Sequence, residues 1–155
     1  MTTVRAENPR DVEDIRGVNE LAFETPAEAR LVDRLRERGK LLLSLVAEDY
    51  GRIMGHIALS RVDVASRPDV FGVGLGPMAV VPTSQNQGVG SQLVRDGLSQ
   101  SAALGARFAV VLGHPGFYPR FGFLPASRFR LSCSWPVPDE VFMAVELVAG
   151  ALAGV

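Results

Sequence analysis

The sequence predicts an α+β fold, a mixed α/β architecture in which helices flank a central, mixed, mostly antiparallel sheet. Several segments place apolar residues three and four positions apart, which is typical of helices with one buried face. Other segments are short β-rich runs, many of them alternating apolar and polar residues, which is typical of strands. The strand–helix–strand order between Val73 and Leu112 adds one parallel strand pair, because such a crossover connects parallel neighbours.

The N-terminal part of the chain predicts a short strand and two helices in tandem. Residues 2–6 are extended, and Asn8-Pro9 marks a helix start, with an N-cap followed by proline at the first helical position. Thr25 to Glu28 is a capping box, with Glu28 placed to reach the Thr25 N–H, and Gly39 is a stop signal. The predicted buried stripes are Val12, Ile15, Val18 and Ala22 in the first helix and Ala27, Leu31 and Leu35 in the second.

The middle of the chain predicts an antiparallel hairpin followed by a bent strand. Residues 42–49 and 53–62 are β-rich runs separated by a turn at residues 50–52. After a loop containing residues 67–69, residues 71–75 continue the alternation and residues 78–81 extend it. Pro77 lies inside this strand and cannot donate to a sheet ladder, so we expect a bulge or bend at Gly76-Pro77. The bend would let the strand splay from its parallel neighbour.

One helix and two strands complete the predicted fold. A polar turn after Pro82 leads into a helix that ends at Gly105. Residues 108–112 are continuously apolar, as in a strand covered on both faces, and residues 141–147 are a last β-rich run. Because 155 residues is the length of one ordinary domain, we expect a single domain at 1–147 with a short C-terminal tail at 148–155.

Composition and charge exclude several classes of protein. The 16 basic and 17 acidic side chains give a formal net charge of −1, far from the basic surface that binds nucleic acid. The lone Cys133 excludes an internal disulfide and a cysteine-rich zinc site, and no other metal-ligand cluster is visible. The sequence shows neither a signal segment nor a membrane-spanning stretch. We therefore expect a cytoplasmic protein that uses no metal and binds neither nucleic acid nor membrane.

The most informative segment, residues 80–91, leads from a strand end through a glycine-bearing turn into a helix. A helix start has unpaired N–H donors and the positive end of the helix dipole, so such a turn can receive a pyrophosphate. A tight turn without any ligand is the alternative. Two nucleotide motifs fail here, because Leu93 stands where the dinucleotide fingerprint has its third glycine and no Gly-Lys-Ser/Thr follows.

Two short patterns carry a resemblance to a known family. QNQGVG at residues 85–90 matches Gln/Arg-x-x-Gly-x-Gly/Ala, and YPRFGF at residues 118–123 matches Tyr-x-x-x-Gly-Phe. Together with the order of elements along nearly the whole chain, they resemble the GNAT superfamily of N-acetyltransferases. GPMAV at residues 76–80 and GHPGFY at residues 113–118 resemble its YhbS-type subgroup. The resemblance implies a GNAT-like sheet and an enzyme that transfers an acetyl group from acetyl-CoA to an amine by direct attack in a ternary complex.

The resemblance also implies roles for particular backbone groups. Met78, Ala79 and Val80 would bind the acetyl and pantetheine parts of the cosubstrate. The pyrophosphate would be bound by the turn and helix start, which comprise Gln85, Asn86, Gln87, Gly88, Val89, Gly90 and Ser91. Many relatives carry Gly-Lys or Arg-Arg before the fixed glycine, whereas Asn86-Gln87 adds no charge. This departure bears on affinity rather than on placement, because the backbone donors remain.

Tyr118 is the predicted general acid, which resembles the usual arrangement in the family. Amine attack on a thioester expels a thiolate, and a phenol of pKa about 10 can hydrogen-bond to or protonate a thiolate of pKa about 8.5. The alternative is a tyrosine that only packs among Phe117, Phe121 and Phe123.

The sequence does not identify the base. A substrate ammonium of pKa about 10 is neutral in only about one part in a thousand at pH 7, so a residue or a water chain must accept its proton. His114 is the candidate close to Tyr118 in sequence, the alternative being an ordinary loop histidine. His56, on a strand face, is expected to be structural. Glu24 and Glu28, at the junction of the first two helices, stay open.

Two functional hypotheses follow. One is the N-acetyltransferase, with a small-molecule or peptide amine as acceptor, and the other is a non-catalytic acyl-CoA-binding or sensor domain. The intact pattern that begins at Tyr118 favours the enzyme. The acceptor is not identified by the sequence, and a homodimer stays open. The loop at residues 132–140 either walls the acceptor site or is a surface loop anchored by Trp135.

Overall fold

The computed structural model describes residues 2–133 and 136–154, so the predicted anchor Trp135 lies outside the described residues. The described part contains three α-helices, α1 (Val12–Phe23), α2 (Ala27–Glu37) and α3 (Val89–Ala103). Its strands are β1 (Thr3–Ala6), β2 (Leu41–Asp49), β3 (Arg52–Val64), β4 (Arg67–Val80), β5 (Phe108–Leu112), β6 (Leu124–Pro125) and β7 (Phe142–Glu146). Short 3₁₀ turns lie at Pro9–Asp11, Pro82–Ser84, Tyr118–Phe121 and Ala126–Phe129.

The strands form one sheet in the order β1-β2-β3-β4-β5-β7-β6. The pairs β1–β2, β2–β3, β5–β7 and β6–β7 are antiparallel. β4 and β5 are parallel, with Val73 opposite Ala109 and Gly74 opposite Val110. The predicted α+β fold, with a mostly antiparallel sheet and one parallel pair, is therefore confirmed. The splaying of that pair stays a prediction.

Packing divides the chain into two compact units. Unit 1 comprises Met1–Ser60 and Gly76–Gly97, and unit 2 comprises Arg61–Leu75 and Leu98–Val155. In unit 1, α1 and α2 pack on one face of β2 and β3 through a cluster of Ile15, Val32, Val46 and Ala58. In unit 2, the core cluster consists of Val70, Phe108, Ala126, Ala144 and Leu152. The C-terminal segment thus contributes Leu152 to this core, and the Leu152 N–H donates to Glu146 Oε2 at 2.9 Å.

The start of α1 follows the sequence signal, but the buried face of α2 does not. The Asn8 N–H donates to the Asp11 carboxylate at 2.6 Å, and Ile15 and Val18 are buried as predicted. In α2 the buried residues are Ala29 and Val32, whereas Leu31 is 44% exposed. The predicted stripe of Ala27, Leu31 and Leu35 is therefore wrong. Both rows of residues are apolar, and packing against the sheet decides which of them is buried.

Several turns also differ from the prediction in detail. Asp49 pairs with Arg52, so the hairpin turn is the two residues Tyr50 and Gly51, both with positive φ. Residues 67–69, predicted as a loop, begin β4, because proline is tolerated at the start of a strand. The Thr25 hydroxyl, not its N–H, donates to the Glu28 carboxylate at 3.1 Å, since Pro26 takes the position before the helix. The strand β6 was not predicted because it is only two residues long.

Gly76-Pro77, where the sequence predicts a bulge or bend, lies within one continuous strand, and the bend itself stays a prediction. β4 runs through both predicted strand segments without a break from Arg67 to Val80. Gly76 has a φ of +130°, a backbone conformation that side chains rarely adopt, and the Gly76–Pro77 peptide bond is cis. Gly76-Pro77 directly precedes Met78, Ala79 and Val80, to which the family resemblance assigns cofactor binding.

Candidate functional site

The predicted phosphate-binding turn lies in unit 1, between β4 and α3. After Val80 a 3₁₀ turn at Pro82–Ser84 leads to four exposed residues, 85–88, before the helix begins at Val89. Asn86 has φ +62° and Gly88 has φ +83°. A Cβ at Gly88 would meet no atom within 4 Å, so glycine is required there for its backbone conformation and not for space inside the protein.

Side chains of the turn hold its backbone in shape. Gln85 Nε2 donates to the Val80 carbonyl at 3.0 Å, and Gln87 Nε2 donates to the Thr83 carbonyl at 3.4 Å. The Val81 N–H donates to the Met54 carbonyl of β3 at 2.9 Å. Gln85, which the family pattern contains, and Gln87, which stands at one of its variable positions, therefore bind backbone carbonyls. The backbone N–H groups are left as the candidate donors to a ligand.

The first turn of α3 supplies such donors. The Gln92 N–H donates to the Gly88 carbonyl at 3.0 Å, while the N–H groups of Val89, Gly90 and Ser91 precede the first intrahelical bond. Within unit 1 the helix packs closely on β3, because a Cβ at Gly55 would lie 3.0 Å from side-chain atoms of Val89 and Leu93. No lysine or arginine occurs between residues 82 and 91. The attraction for an anion therefore comes from amide dipoles and the helix N-terminus.

The strand end at Met78, Ala79 and Val80 alternates between two environments. Ala79 is buried and clusters with Val18 of α1 and with Val81, whereas Met78 and Val80 are half-buried. The Val80 carbonyl already accepts the Gln85 side chain. One face of this strand end thus fixes its position against α1, and its backbone carries the groups assigned to the acyl and pantetheine parts.

Tyr118 lies in unit 2, at the start of a 3₁₀ turn that follows β5. Its side chain is 7% exposed and makes edge-to-face contacts with Phe117, at a centroid distance of 5.0 Å, and with Phe123, at 5.6 Å. Its backbone N–H donates to the His114 carbonyl at 3.3 Å. Burial raises the pKa of the Tyr118 phenol to about 12, so the hydroxyl keeps its proton throughout the physiological range.

Comparisons with known proteins identify the family. Residues 3–126 match the family described as Acetyltransferase (GNAT) domain. The chain is 41% identical to the uncharacterized N-acetyltransferase YhbS of Escherichia coli K12 over 153 residues, 98% of this chain and 91% of the relative. It is 36% identical to YjhQ of the same strain, also an uncharacterized N-acetyltransferase, over 84% of this chain and 74% of the relative. The chain belongs to the GNAT acetyltransferase family.

Two solved GNAT structures are similar in fold and sequence. E. coli YhbS in complex with CoA has a TM-score of 0.94 and 41% identity, and covers 99% of this chain and 86% of that one. A GNAT acetyltransferase of Brucella melitensis in complex with acetyl-CoA has a TM-score of 0.80 and 37% identity, and covers 94% of this chain and 88% of that one. The predicted family, its YhbS-type subgroup and the class of N-acetyltransferase are confirmed, and the relatives bind the cosubstrate that the sequence predicts. The roles of single residues stay predictions.

The two histidines of this GNAT protein have opposite environments. The His114 side chain is exposed, and its carbonyl accepts the N–H groups of Phe117 and Tyr118. His56 is 0% exposed and lies between Asn19 Nδ2, 3.2 Å from its Nδ1, and Ser44 Oγ, 2.9 Å from its Nε2. Burial lowers the pKa of His56 to about 4. The structural role expected for His56 fits this environment, and His114 remains the histidine that solvent can reach.

The tautomer of His56 follows from its neighbours. Asn19 Nδ2 also donates to the Ile15 carbonyl at 3.0 Å, so the amide nitrogen and not the amide oxygen faces the ring. Nδ1 is therefore the acceptor, and Nε2 carries the proton and donates to Ser44. Sequence reasoning missed both partners. Asn19 follows the buried Val18 by one residue and Ile15 by four, a helical spacing that could have placed it on the same face.

The remaining candidates are less enclosed. Glu24 is exposed and ends α1 with φ +58°, and the Glu28 carboxylate accepts a hydrogen bond from the Thr25 hydroxyl.

Within residues 2–133 and 136–154, no three His, Cys, Asp or Glu side chains are grouped so as to hold a metal ion. None of the helices in these same ranges is long and apolar enough to cross a lipid bilayer.

Proposed function

We propose that this protein is an acetyl-CoA-dependent N-acetyltransferase that binds the pyrophosphate of its cosubstrate on the turn between β4 and α3. The observation that carries the proposal is the exposed turn at residues 85–88 with Gly88 at φ +83°, followed directly by the free N–H groups of the helix start. Amide donors and a helix N-terminus bind phosphate without a cationic side chain. The absence of Lys and Arg from residues 82–91 is therefore compatible with this site.

The proposal assigns the acetyl and pantetheine parts to the backbone of Met78, Ala79 and Val80. Ala79 is held by its apolar contacts with Val18 and Val81, so the strand end is fixed before the ligand arrives. Because the Val80 carbonyl is already paired with Gln85, we assign the contacts with pantetheine to the remaining backbone groups of these three residues.

The proposed reaction is a direct transfer. The lone pair of a neutral amine attacks the thioester carbonyl carbon and forms the new C–N bond. The C–S bond breaks, its electron pair leaves with the CoA thiolate, and the surplus proton on the nitrogen passes to that thiolate or to water. We assign to the Tyr118 hydroxyl a hydrogen bond to this thiolate, since its pKa of about 12 keeps it protonated. The exposed His114 is the proposed acceptor of the proton from the substrate ammonium, directly or through water.

Ligand binding and turnover test the proposal separately. Acetyl-CoA that binds only the native state should raise the unfolding free energy by about 2.7 kcal/mol at one hundred times Kd. We expect a rise in Tm with acetyl-CoA and CoA, and a smaller one with ADP, which keeps the pyrophosphate but lacks the pantetheine part. A panel of small amines and peptide N-termini, assayed by thiol release, should then identify an acceptor.

Each outcome of that experiment has a distinct meaning. No Tm shift with millimolar acetyl-CoA would refute the assigned binding site and the activity together. A Tm shift without thiol release for any amine would favour the acyl-CoA sensor.

We further propose that residues 1–147 act as one domain with a tail at 148–155. We also propose that the acceptor is a small-molecule or peptide amine and that the protein is cytoplasmic. A homodimer is a state to test.

A further inference from the structure

Gly113 lies directly against the ring of Tyr118. It is the first residue after β5, and its N–H donates to the Val141 carbonyl at 3.0 Å. A Cβ on Gly113 would lie 2.3 Å from Cε2, 2.8 Å from Cδ2 and 3.4 Å from Cζ of Tyr118. The first two distances are shorter than those between real atoms in contact. The Tyr118 ring therefore occupies the space that any side chain at residue 113 would need.

The backbone of Gly113 does not itself require glycine. Its φ lies outside the left-handed region, unlike Gly122, whose φ is +93°. Alanine is therefore allowed by the backbone at residue 113 and is excluded only by the tyrosine ring. The absence of a side chain at this position serves the placement of Tyr118.

The ring has little freedom to move away from Gly113. Phe117 and Phe123 contact it edge to face, and Phe123 is itself only 1% exposed. The backbone of Tyr118 is held by the hydrogen bond to the His114 carbonyl. A Cβ at residue 113 would push the ring by roughly 1 Å to reach ordinary contact distance, and a displacement of about 1 Å at a reacting group can cost on the order of 10²-fold in rate.

We infer that Gly113 is a positioning residue, whose missing side chain sets where the Tyr118 hydroxyl lies. The inference rests on the proposed function, because it gives Gly113 a part in the reaction only through Tyr118. Gly113 makes no chemical contribution of its own. The predicted consequence is that a substitution at residue 113 lowers kcat by moving the hydroxyl, while acetyl-CoA binding is kept.

A double-mutant cycle of G113A and Y118F tests this inference. Y118F keeps the ring, so the clash and any loss of stability from G113A are the same in both backgrounds, and only the hydroxyl differs. We expect G113A to lower kcat about tenfold or more in the wild type and less than twofold in Y118F. The KM for acetyl-CoA should change less than twofold throughout. Gly116→Ala, in the same loop and with no atom within 4 Å of the added Cβ, is the matched control and should keep wild-type kcat.

The outcomes separate this inference from the proposed function. Wild-type kcat in Y118F would refute the role of the hydroxyl and the inference with it. A defective Y118F combined with an equal kcat loss from G113A in both backgrounds would show a purely structural effect and overturn the inference alone. So would a wild-type kcat in G113A.

A clash of this size can also prevent G113A from folding, so the same substitution is also made in a variant that carries Phe123→Leu. Phe123→Leu shortens the side chain on the other side of the Tyr118 ring and gives it room to move. We expect F123L/G113A to fold and to have a kcat about tenfold below that of F123L alone. Equal kcat in these two variants would overturn the inference. The phenol titration gives an independent signal, because the displaced ring should be less buried and the pKa of Tyr118 should then fall in the G113A variants.

Discussion

The turn at residues 85–88 and the surroundings of Tyr118 differ in what positions their functional groups, which is backbone conformation in the turn and side-chain packing around Tyr118. The turn is exposed, and its candidate ligand contacts are backbone N–H groups whose directions follow from φ at Asn86 and Gly88. Tyr118 is buried among aromatic rings, and its position follows from contacts with Gly113, Phe117 and Phe123. A site made of backbone should tolerate most side-chain changes that keep the φ angles. A site made of packed side chains should respond to changes of a single methyl group.

The largest expected effect on a backbone site comes from a charge placed among its donors. Gly88→Asp puts a carboxylate beside the proposed pyrophosphate, and like charges in contact cost several kcal/mol. We expect acetyl-CoA affinity to fall more than about 100-fold, measured by calorimetry. Gly88→Ala separates charge from backbone, since it introduces the same backbone strain at φ +83° without a carboxylate, and should weaken binding less than about tenfold.

A charge control on the same helix completes that comparison. Ser99→Asp adds the same charge at an exposed position of α3 ten residues beyond Val89, about 15 Å along the helix axis, and should leave affinity unchanged. Wild-type affinity in a folded G88D variant would move the phosphate site away from this turn.

His56 is a second packed position, and its effect should appear in the dependence of stability on pH, because its side chain is titratable and fully buried. Burial, together with Arg36, lowers its pKa, and Glu7 opposes the shift. The unfolded chain takes up the proton near pH 6.5, whereas the native protein resists it down to about pH 4. Protons therefore favour unfolding over this window, and stability is present above pH 6.5 and falls as pH decreases, by roughly 3 kcal/mol at pH 4.

Urea unfolding between pH 7 and pH 5 should reveal this slope, before the carboxylates titrate. His56→Gln removes the titration and should flatten the dependence of the unfolding free energy on pH, whatever its own cost in stability. The matched control is His114→Gln, which makes the same substitution at the exposed histidine and leaves the buried His56 in place. An unchanged slope in H56Q would assign the pH dependence to other groups.

The Tyr118 hydroxyl should have a smaller effect than a general acid with a matched pKa. With a pKa of about 12, full transfer of its proton to a thiolate of pKa about 8.5 is uphill by roughly 5 kcal/mol, so it acts mainly as a hydrogen-bond donor. A hydrogen bond to a charged group contributes about 1.5–3 kcal/mol. We therefore expect Tyr118→Phe to lower kcat about 10- to 100-fold and to leave acetyl-CoA affinity unchanged.

The pH profile distinguishes this donor from a titrating acid. The kcat of the wild type should show no inflection from Tyr118 between pH 8 and pH 10, and the ratio of wild-type to Y118F kcat should stay constant across that range. A ratio that collapses toward one near pH 10 would mean that the hydroxyl titrates in the complex with an ordinary pKa.

The sequence predicted the turn better than the packed regions for a physical reason. Gly88, Gly105 and Gly39 report local backbone conformation, and each lies where the structure has a positive φ. The contacts of His56 with Asn19 and Ser44 join residues 37 and 12 positions apart, and no local pattern encodes them. The buried face of α2 was misassigned for the same reason. Leu31 and Val32 are both apolar, and only the shape of the facing sheet decides which of them is buried.

The smallest expected effect is at Tyr50, where stability should depend on the backbone conformation and not on side-chain packing. Tyr50 has φ +52° in the two-residue turn between β2 and β3, and its side chain is 95% exposed, so nothing in the protein depends on its ring. A left-handed conformation costs an ordinary residue about 1–2 kcal/mol, and Asn-Gly is the pair that this hairpin turn prefers. Tyr50→Asn should therefore stabilise the protein by up to about 1 kcal/mol in thermal or urea unfolding. Tyr50→Ala removes the same ring without relieving the backbone and should bring no gain. Equal stabilisation by both substitutions would mean that removal of the exposed ring, and not relief of the positive φ at residue 50, stabilises the protein.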